Sequence, residues 1–202
     1  AALVLREVVE RVGIDAKLFD DVILGCIGQQ SDAPNIARVA GLLAGVPVSV
    51  PGFTVQRNCV SGMVSITSAY QAIQSNDGEV FLCGGTESMS TSPYVVRGAR
   101  WGLKLRHDTF VDTLWEGLTD PVCGQIMGYT AENLAMMYGL SQEEQDKFAV
   151  LSHKKAFRAT RMGRFRDEIV PVRVSKKVAG KEVAYEDIVQ DECINPTLSV
   201  QK

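Results

Sequence analysis

Between Phe53 and Ala72, in FTVQRNCVSGMVSITSAYQA, the hydrophobic pattern changes from the two-residue period of a strand to the period of a helix. Phe53-Thr54-Val55-Gln56 alternates like a strand, and Arg57-Asn58-Cys59 forms a turn. From Val60 onward, Met63, Val64, Ile66, Tyr70 and Ile73 follow at helical spacing. The switch predicts a strand-to-helix corner with Cys59 at or beside the first turn of the helix. Unpaired N–H groups and the positive end of the helix dipole stabilise an anion there, so a thiol at this corner is expected to ionise more readily. The helix is poor in charge and rich in small residues (Ser61, Gly62, Ser65, Thr67, Ser68, Ala69, Ala72), which predicts close approach by neighbours and a buried position.

Two functions fit Cys59. A cysteine on a helix-opening corner suits covalent thiol catalysis, but free cysteines more often pack as small hydrophobes. The chain holds five: Cys26, Cys59, Cys83, Cys123 and Cys193. Cys26 and Cys83 fall in apolar strand patterns and are expected to pack. Cys123 and Cys193 lie in irregular stretches, and sequence alone leaves them undecided.

The alternation of strand and helix patterns surrounds this corner on both sides. Residues 2–12 carry Val4, Leu5, Val8, Val9 and Val12 at helical spacing, stopped by Gly13. Asp21–Ile27 reads as a buried strand. Pro34 is expected to open a helix whose inner face is Ile36, Val39, Ala40 and Leu43, closed by Gly45. After the Cys59 helix, Asn76-Asp77-Gly78 marks a stop and Glu79–Gly84 a further strand. This pattern predicts an α/β core around a largely parallel sheet, with chemistry at the carboxyl ends of its strands. Residues 88–128 show no regular period, an uncommon length for a structureless connection. They gather Arg97, Arg100, Lys104, Arg106 and His107 among aromatic residues. Such a loop suits the phosphates and base of a nucleotide-bearing ligand, an oligomer contact, or a solvated charged face. Thr130 is expected to cap a helix ending at Tyr138. Ser141-Gln142-Glu143-Glu144 is a capping box for a longer helix, stopped by Gly163. Glu168–Val174 and Lys181–Ala184 read as strands around a turn over 176–180.

Composition narrows the classes. At 202 residues and 46% hydrophobic, the chain can bury a core in one or two domains. Its net charge of −3 gives no reason to expect a nucleic-acid partner. Cysteine usage without a CxxC pair points to a reducing compartment. There is no apolar run of membrane-spanning length and no metal-ligand spacing, so neither a membrane nor a metal is expected.

Several motifs together are similar to one family. Asn58-Cys59-Val60-Ser61-Gly62-Met63, Gly84-Gly85-Thr86-Glu87-Ser88-Met89-Ser90, and Gly128-Tyr129-Thr130-Ala131-Glu132-Asn133 come in that order. Glu144-Gln145-Asp146 with Phe148-Ala149 follows, then Gly163-Arg164-Phe165 with Asp167-Glu168-Ile169-Val170-Pro171. In order and spacing the chain resembles the thiolases, CoA-dependent acetyltransferases that form or cleave 3-ketoacyl-CoA. The resemblance implies a layered α/β/α/β/α fold, with residues 1–88 as N-terminal core and 89–202 as an inserted loop domain. It makes Cys59 the acyl-carrying nucleophile. It favours assembly contacts for the first part of the 88–128 loop and substrate contacts for the second, where Leu118 and Met127 match positions lining the pantetheine and acyl channel.

It further implies CoA thioesters as substrates without a separate cofactor, a role in lipid metabolism, a homodimer or homotetramer, and a cytoplasmic location with organellar targeting left open. The family's activating histidine, in a Gly-His-Pro turn, and its second cysteine, in a Cys-x-Gly turn, have no match here. His107 and His153 have the wrong neighbours. The first strand is expected before Ala1 and the C-terminal domain after Lys202, so the 202 residues alone are expected not to turn over. Ile126 stands where some members have histidine, and Asn195 where some have an arginine that reaches the nucleotide. The rivals are a decarboxylating ketoacyl synthase on the same fold and a non-catalytic acyl-CoA-binding or scaffold subunit.

Overall fold

The structure is a computed structural model that describes residues 1–105, 107–178 and 181–200, without the side chains of 176–178 and 181–183. The chain divides into two compact units, Ala1–Met127 and Gly128–Lys202. The boundary drawn at 88/89 from the sequence falls inside the first unit.

In the first unit, three parallel strands lie in the order β2-β1-β3: β1 (Asp21–Gly25), β2 (Gly52–Val55) and β3 (Phe81–Gly85). Helices α1 (Ala2–Val12), α2 (Ile36–Ala44) and α3 (Ser61–Gln74) connect or flank them. Side chains alternate between the faces of a strand, so β1 serves both layers. Val22 and Leu24 join Leu5, Phe19, Ala37, Ala40, Val46, Val50 and Leu82 in one core beneath α1 and α2. Ile23 and Gly25 face the other way, onto α3. The expected α/β core with a parallel sheet is therefore present.

The inner face of α2 is as expected at Ala40 and differs at Leu43. α2 buries Ala37, Ala40 and Gly41, while Leu43 is exposed. α3 buries Ser61, Ser65 and Ala69, while Met63 (66%), Ile66 (60%) and Tyr70 (62%) are exposed. The cause is distance. A Cβ on Gly41 would already stand 3.4 Å from Val22 Cγ2, so only small residues fit between α2 and β1. The buried position expected for α3 holds for its small-residue face alone. Pro34 does not open α2 either. Asn35 caps it, its Oδ1 accepting from Arg38 N–H at 3.2 Å.

Residues 88–127 hold short elements: β4 (Tyr94–Val95) paired antiparallel with β5 (Val111–Asp112), and α4 (Thr113–Gly117) capped by Asp112. Arg106 lies outside the described residues.

The second unit contains α5 (Met127–Tyr138, its first residue belonging to the first unit), α6 (Gln142–Arg161) and the antiparallel pair β6 (Val172–Val178) and β7 (Lys181–Ile188). α5 begins before Thr130, which therefore sits inside the helix rather than capping it. The capping box at Ser141 and Glu144 is formed. Of the turn expected over 176–180, residues 176–178 belong instead to β6, and residues 179 and 180 lie outside the described residues. Among the described residues, no helix is long and apolar enough to cross a membrane.

Candidate active site

Cys59 lies where the sequence places it, on the corner between β2 and α3, with its side chain exposed. The corner is tight. Asn58 has φ +47°, a left-handed conformation that asparagine tolerates better than most residues. Ser61, the first residue of α3 and buried, braces the turn from below. Its Oγ accepts from Arg57 N–H at 2.8 Å and donates to the Asn58 carbonyl at 2.6 Å.

α3 can come down onto the sheet here because β1 ends in glycine. A Cβ on Gly25 would stand 2.5 Å from Gly62 N and nearer still to the Ser61 carbonyl carbon. Gly85 meets Gly62 Cα at 3.4 Å in the same way. Ser65 ties the next turn of α3 to β3, donating from Oγ to the Gly84 carbonyl at 2.9 Å. Cys59 thus rises at the carboxyl end of a parallel sheet, on a support of glycine and serine.

A carboxylate completes this end of the sheet. Glu87 accepts from the backbone N–H of Ile27 (2.8 Å) and Gly28 (3.1 Å), joining the segment after β1 to the segment after β3. Periodicity carries no signal for this role, since the partners are 60 and 59 residues apart.

The other cysteines separate by environment. Cys26 is buried, and burial, followed by the Glu87 charge, pushes its thiol up. Burial, followed by the Asp21 charge, does the same to the half-buried Cys83. Both are poor nucleophiles, as their strand positions suggested. Cys123 and Cys193 are exposed.

Leu118 and Met127, nine residues apart, are joined through their backbone. Met127 N–H donates to the Leu118 carbonyl at 3.0 Å, beside a Thr119–Ile126 bridge, and both side chains are part-exposed (43% and 46%). The same region carries an open hollow of about 460 Å³ lined by Thr109, Val111, Asp112, Trp115, Glu116 and Thr119. Cys59 is not among its walls. His107 is exposed, and His153, on α6, accepts Asn195 N–H at Nδ1 (3.1 Å). Among the described residues, no group of acidic, histidine and cysteine side chains could hold a metal ion.

A family model described as "Thiolase, N-terminal domain" matches residues 1–202. The chain belongs to the thiolase family. A Staphylococcus aureus (strain COL) protein named "Probable acetyl-CoA acyltransferase" is 41% identical over 202 residues, all of this chain and 50% of that relative. A Pseudomonas aeruginosa "Acetyl-CoA acetyltransferase" is 46% identical over 177 residues, 87% of this chain and 45% of its own length. Among solved structures, the Bacillus anthracis acetyl-CoA acetyltransferase superposes with a TM-score of 0.92 at 41% identity, covering 98% of this chain and 49% of its own. Human mitochondrial 3-ketoacyl-CoA thiolase in complex with CoA superposes with a TM-score of 0.88 at 36% identity, with the same coverage. The expected thiolase fold is borne out by these superpositions. This thiolase chain spans about half the length of the curated relatives it matches.

Proposed function

We propose that this chain supplies the acyl-accepting cysteine of an acyl-CoA C-acetyltransferase that forms or cleaves 3-ketoacyl-CoA. One observation carries the reading: in a thiolase chain, Cys59 stands exposed on a strained strand-to-helix corner while Cys26 and Cys83 are buried or half-buried in the sheet. Cys59 gives up its proton, and its sulfur attacks the thioester carbonyl. The carbonyl oxygen carries the developing charge, which the Cys59 backbone N–H helps to stabilise. The bond to the CoA sulfur then breaks, CoA leaves with a proton, and an acyl-cysteine remains. The base is the histidine that the family places in a Gly-His-Pro turn, outside these 202 residues.

Leu118 and Met127 are assigned to the wall along the pantetheine arm, supported by the backbone bond that sets them side by side and by their exposure. Assembly as a homodimer or homotetramer belongs to the same reading. It is supported by β2, which ends the sheet among the described residues and leaves an edge open to pairing.

The test, made on protein in which this chain is joined to the Gly-His-Pro histidine, is intact-mass and peptide analysis after incubation with acetyl-CoA. One acetyl group on Cys59, absent in Cys59→Ser, is expected. Acetylation confined to Cys123 or Cys193 would overturn the assignment. CoA binding with no adduct would favour a non-catalytic acyl-CoA-binding subunit.

A further inference from the structure

We infer that Ser61 is a positioning residue for Cys59, one that aims the Cys59 backbone N–H at the thioester carbonyl oxygen; this rests on the acyl-transfer reading above. The corner has three backbone links of its own: Val60 N–H to the Arg57 carbonyl (3.3 Å), Ser61 N–H to the Asn58 carbonyl (3.1 Å) and Val64 N–H to the Val60 carbonyl (2.9 Å). None of them holds Arg57 N–H, and the Asn58 carbonyl has among them only the longer bond from Ser61 N–H.

The Ser61 hydroxyl holds the first and adds a shorter second bond to the other. Its oxygen accepts from Arg57 N–H, before the left-handed residue, and its proton goes to the Asn58 carbonyl, after it. That carbonyl belongs to the peptide whose nitrogen is Cys59 N. Fixing its oxygen at 2.6 Å from Ser61 Oγ fixes the plane of the peptide, and with it the direction of the Cys59 N–H. Asn58 at φ +47° is the residue where the turn would otherwise relax.

Ser61 is itself held. It is 4% exposed, and its backbone lies against β1 where Gly25 leaves no room for a Cβ. The chain is thus continuous from the central strand to Ser61, to the Asn58–Cys59 peptide, to the N–H that meets the oxyanion. The thiol hangs from the same residue but depends less on this brace, because its direction is also set by rotation about its own side-chain bond.

The two chemistries open to Cys59 separate this role from simple stability. Transfer of an acetyl group from acetyl-CoA forms the Cys59 thioester, releases CoA and needs the N–H aimed at the carbonyl oxygen. Alkylation by iodoacetamide forms a thioether, releases iodide and needs only the thiol. In the full chain, Ser61→Ala is expected to slow acetylation of Cys59 by about 10- to 100-fold, the scale at which a small misplacement of reacting groups acts. It should change alkylation of the same residue less than about threefold. Ser61→Thr, which keeps the hydroxyl, is expected to restore acetylation to within about fivefold.

Amide exchange at Arg57 reports the brace directly: protected in the parent and the threonine variant, fast in the alanine variant. Equal losses in acetylation and alkylation, or acetylation unchanged in Ser61→Ala, overturn the proposal. If Ser61→Ala does not fold, the threonine variant decides. Protection of Arg57 with acetylation retained supports the brace, and protection with acetylation lost overturns it. Absence of Cys59 acetylation in the parent itself would instead refute the acyl-transfer reading.

Discussion

At the scale of single residues, the corner at Cys59 depends on a conformation few side chains adopt. Asn58 sits at φ +47°, where a residue with a larger, purely apolar side chain meets a cost of roughly 1–2 kcal/mol from Cβ crowding. Glycine has no such cost. Asn58→Gly is therefore expected to keep most of the Cys59 acetylation rate. Asn58→Leu is expected to lower it by about tenfold, since about 1.4 kcal/mol at the turn is a factor of ten. CoA affinity, measured by calorimetry, should be nearly unchanged in both. An acetylation rate in Asn58→Leu equal to the parent's would show that the turn holds without its left-handed residue. The place of Cys59 was legible from sequence because strand and helix periods meet there. The roles of Ser61 and Glu87 were not, though both stand in the family motifs, since an apolar pattern records what a residue avoids and not which distant N–H it receives. Ser61 read as a small motif residue, and its bond to Arg57 N–H was invisible.

At the scale of elements, the helices were legible as helices and only partly as faces. On α2, Leu43 was a natural candidate for the inside along with Ala40. The structure buries Ala40 with Ala37, and Ser61 and Ser65 on α3, because helices seated this close to a strand admit only small side chains. Polar side chains then do the joining. Asn35 caps α2 and donates from Nδ2 to the Gly52 carbonyl of β2 (2.8 Å), while Thr54 Oγ1 donates back to Asn35 Oδ1 (3.0 Å). Asn35→Ala removes a cap and leaves a half-buried acceptor without its partner, and is expected to cost about 1–3 kcal/mol in urea unfolding. With Thr54→Val already present the further loss should be smaller; full additivity would mean that the two side chains are not coupled. The start of β3 has an acid-sensitive link. The N–H groups of Val80 and then Glu79 hold the Asp20 carboxyl below its ordinary range. A carboxylate lowered on folding adds stability above the unfolded value, about pH 3.9, and loses it as pH falls through the folded one. Asp20→Ala should thus unfold at lower urea than the parent near neutral pH, and the gap should close toward pH 3. A gap constant from pH 7 to pH 3 would deny the link.

At the scale of the whole chain, the two units differ in what they bury. The first encloses Val22, Ile23 and Leu24 almost completely, with α1 and α2 on one side of β1 and α3 on the other. β1 is also paired along both edges, so its amides are covered by backbone as well as by side chains. In the second unit, only Ala135 and Val150 are buried hydrophobic residues among the described ones, while Met136, Met137 and Phe148 are exposed. Two small buried side chains offset little of the entropy of ordering two helices and a hairpin, so local opening there should need far less free energy. The sequence did not reveal this contrast, because α6 has a full capping box and reads as one of the strongest helices in the chain. A cap holds the end of a helix, but tertiary burial supplies most of its stability. Native-state hydrogen exchange should show Ile23 and Leu24 exchanging only through global unfolding, with a steep dependence on urea. Amides in the middle of α5 and α6 should exchange earlier and with a shallower dependence. Amides around Val150 that matched Ile23 in both rate and urea dependence would refute the ranking, because a helix with so little buried surface would then be opening only with the sheet.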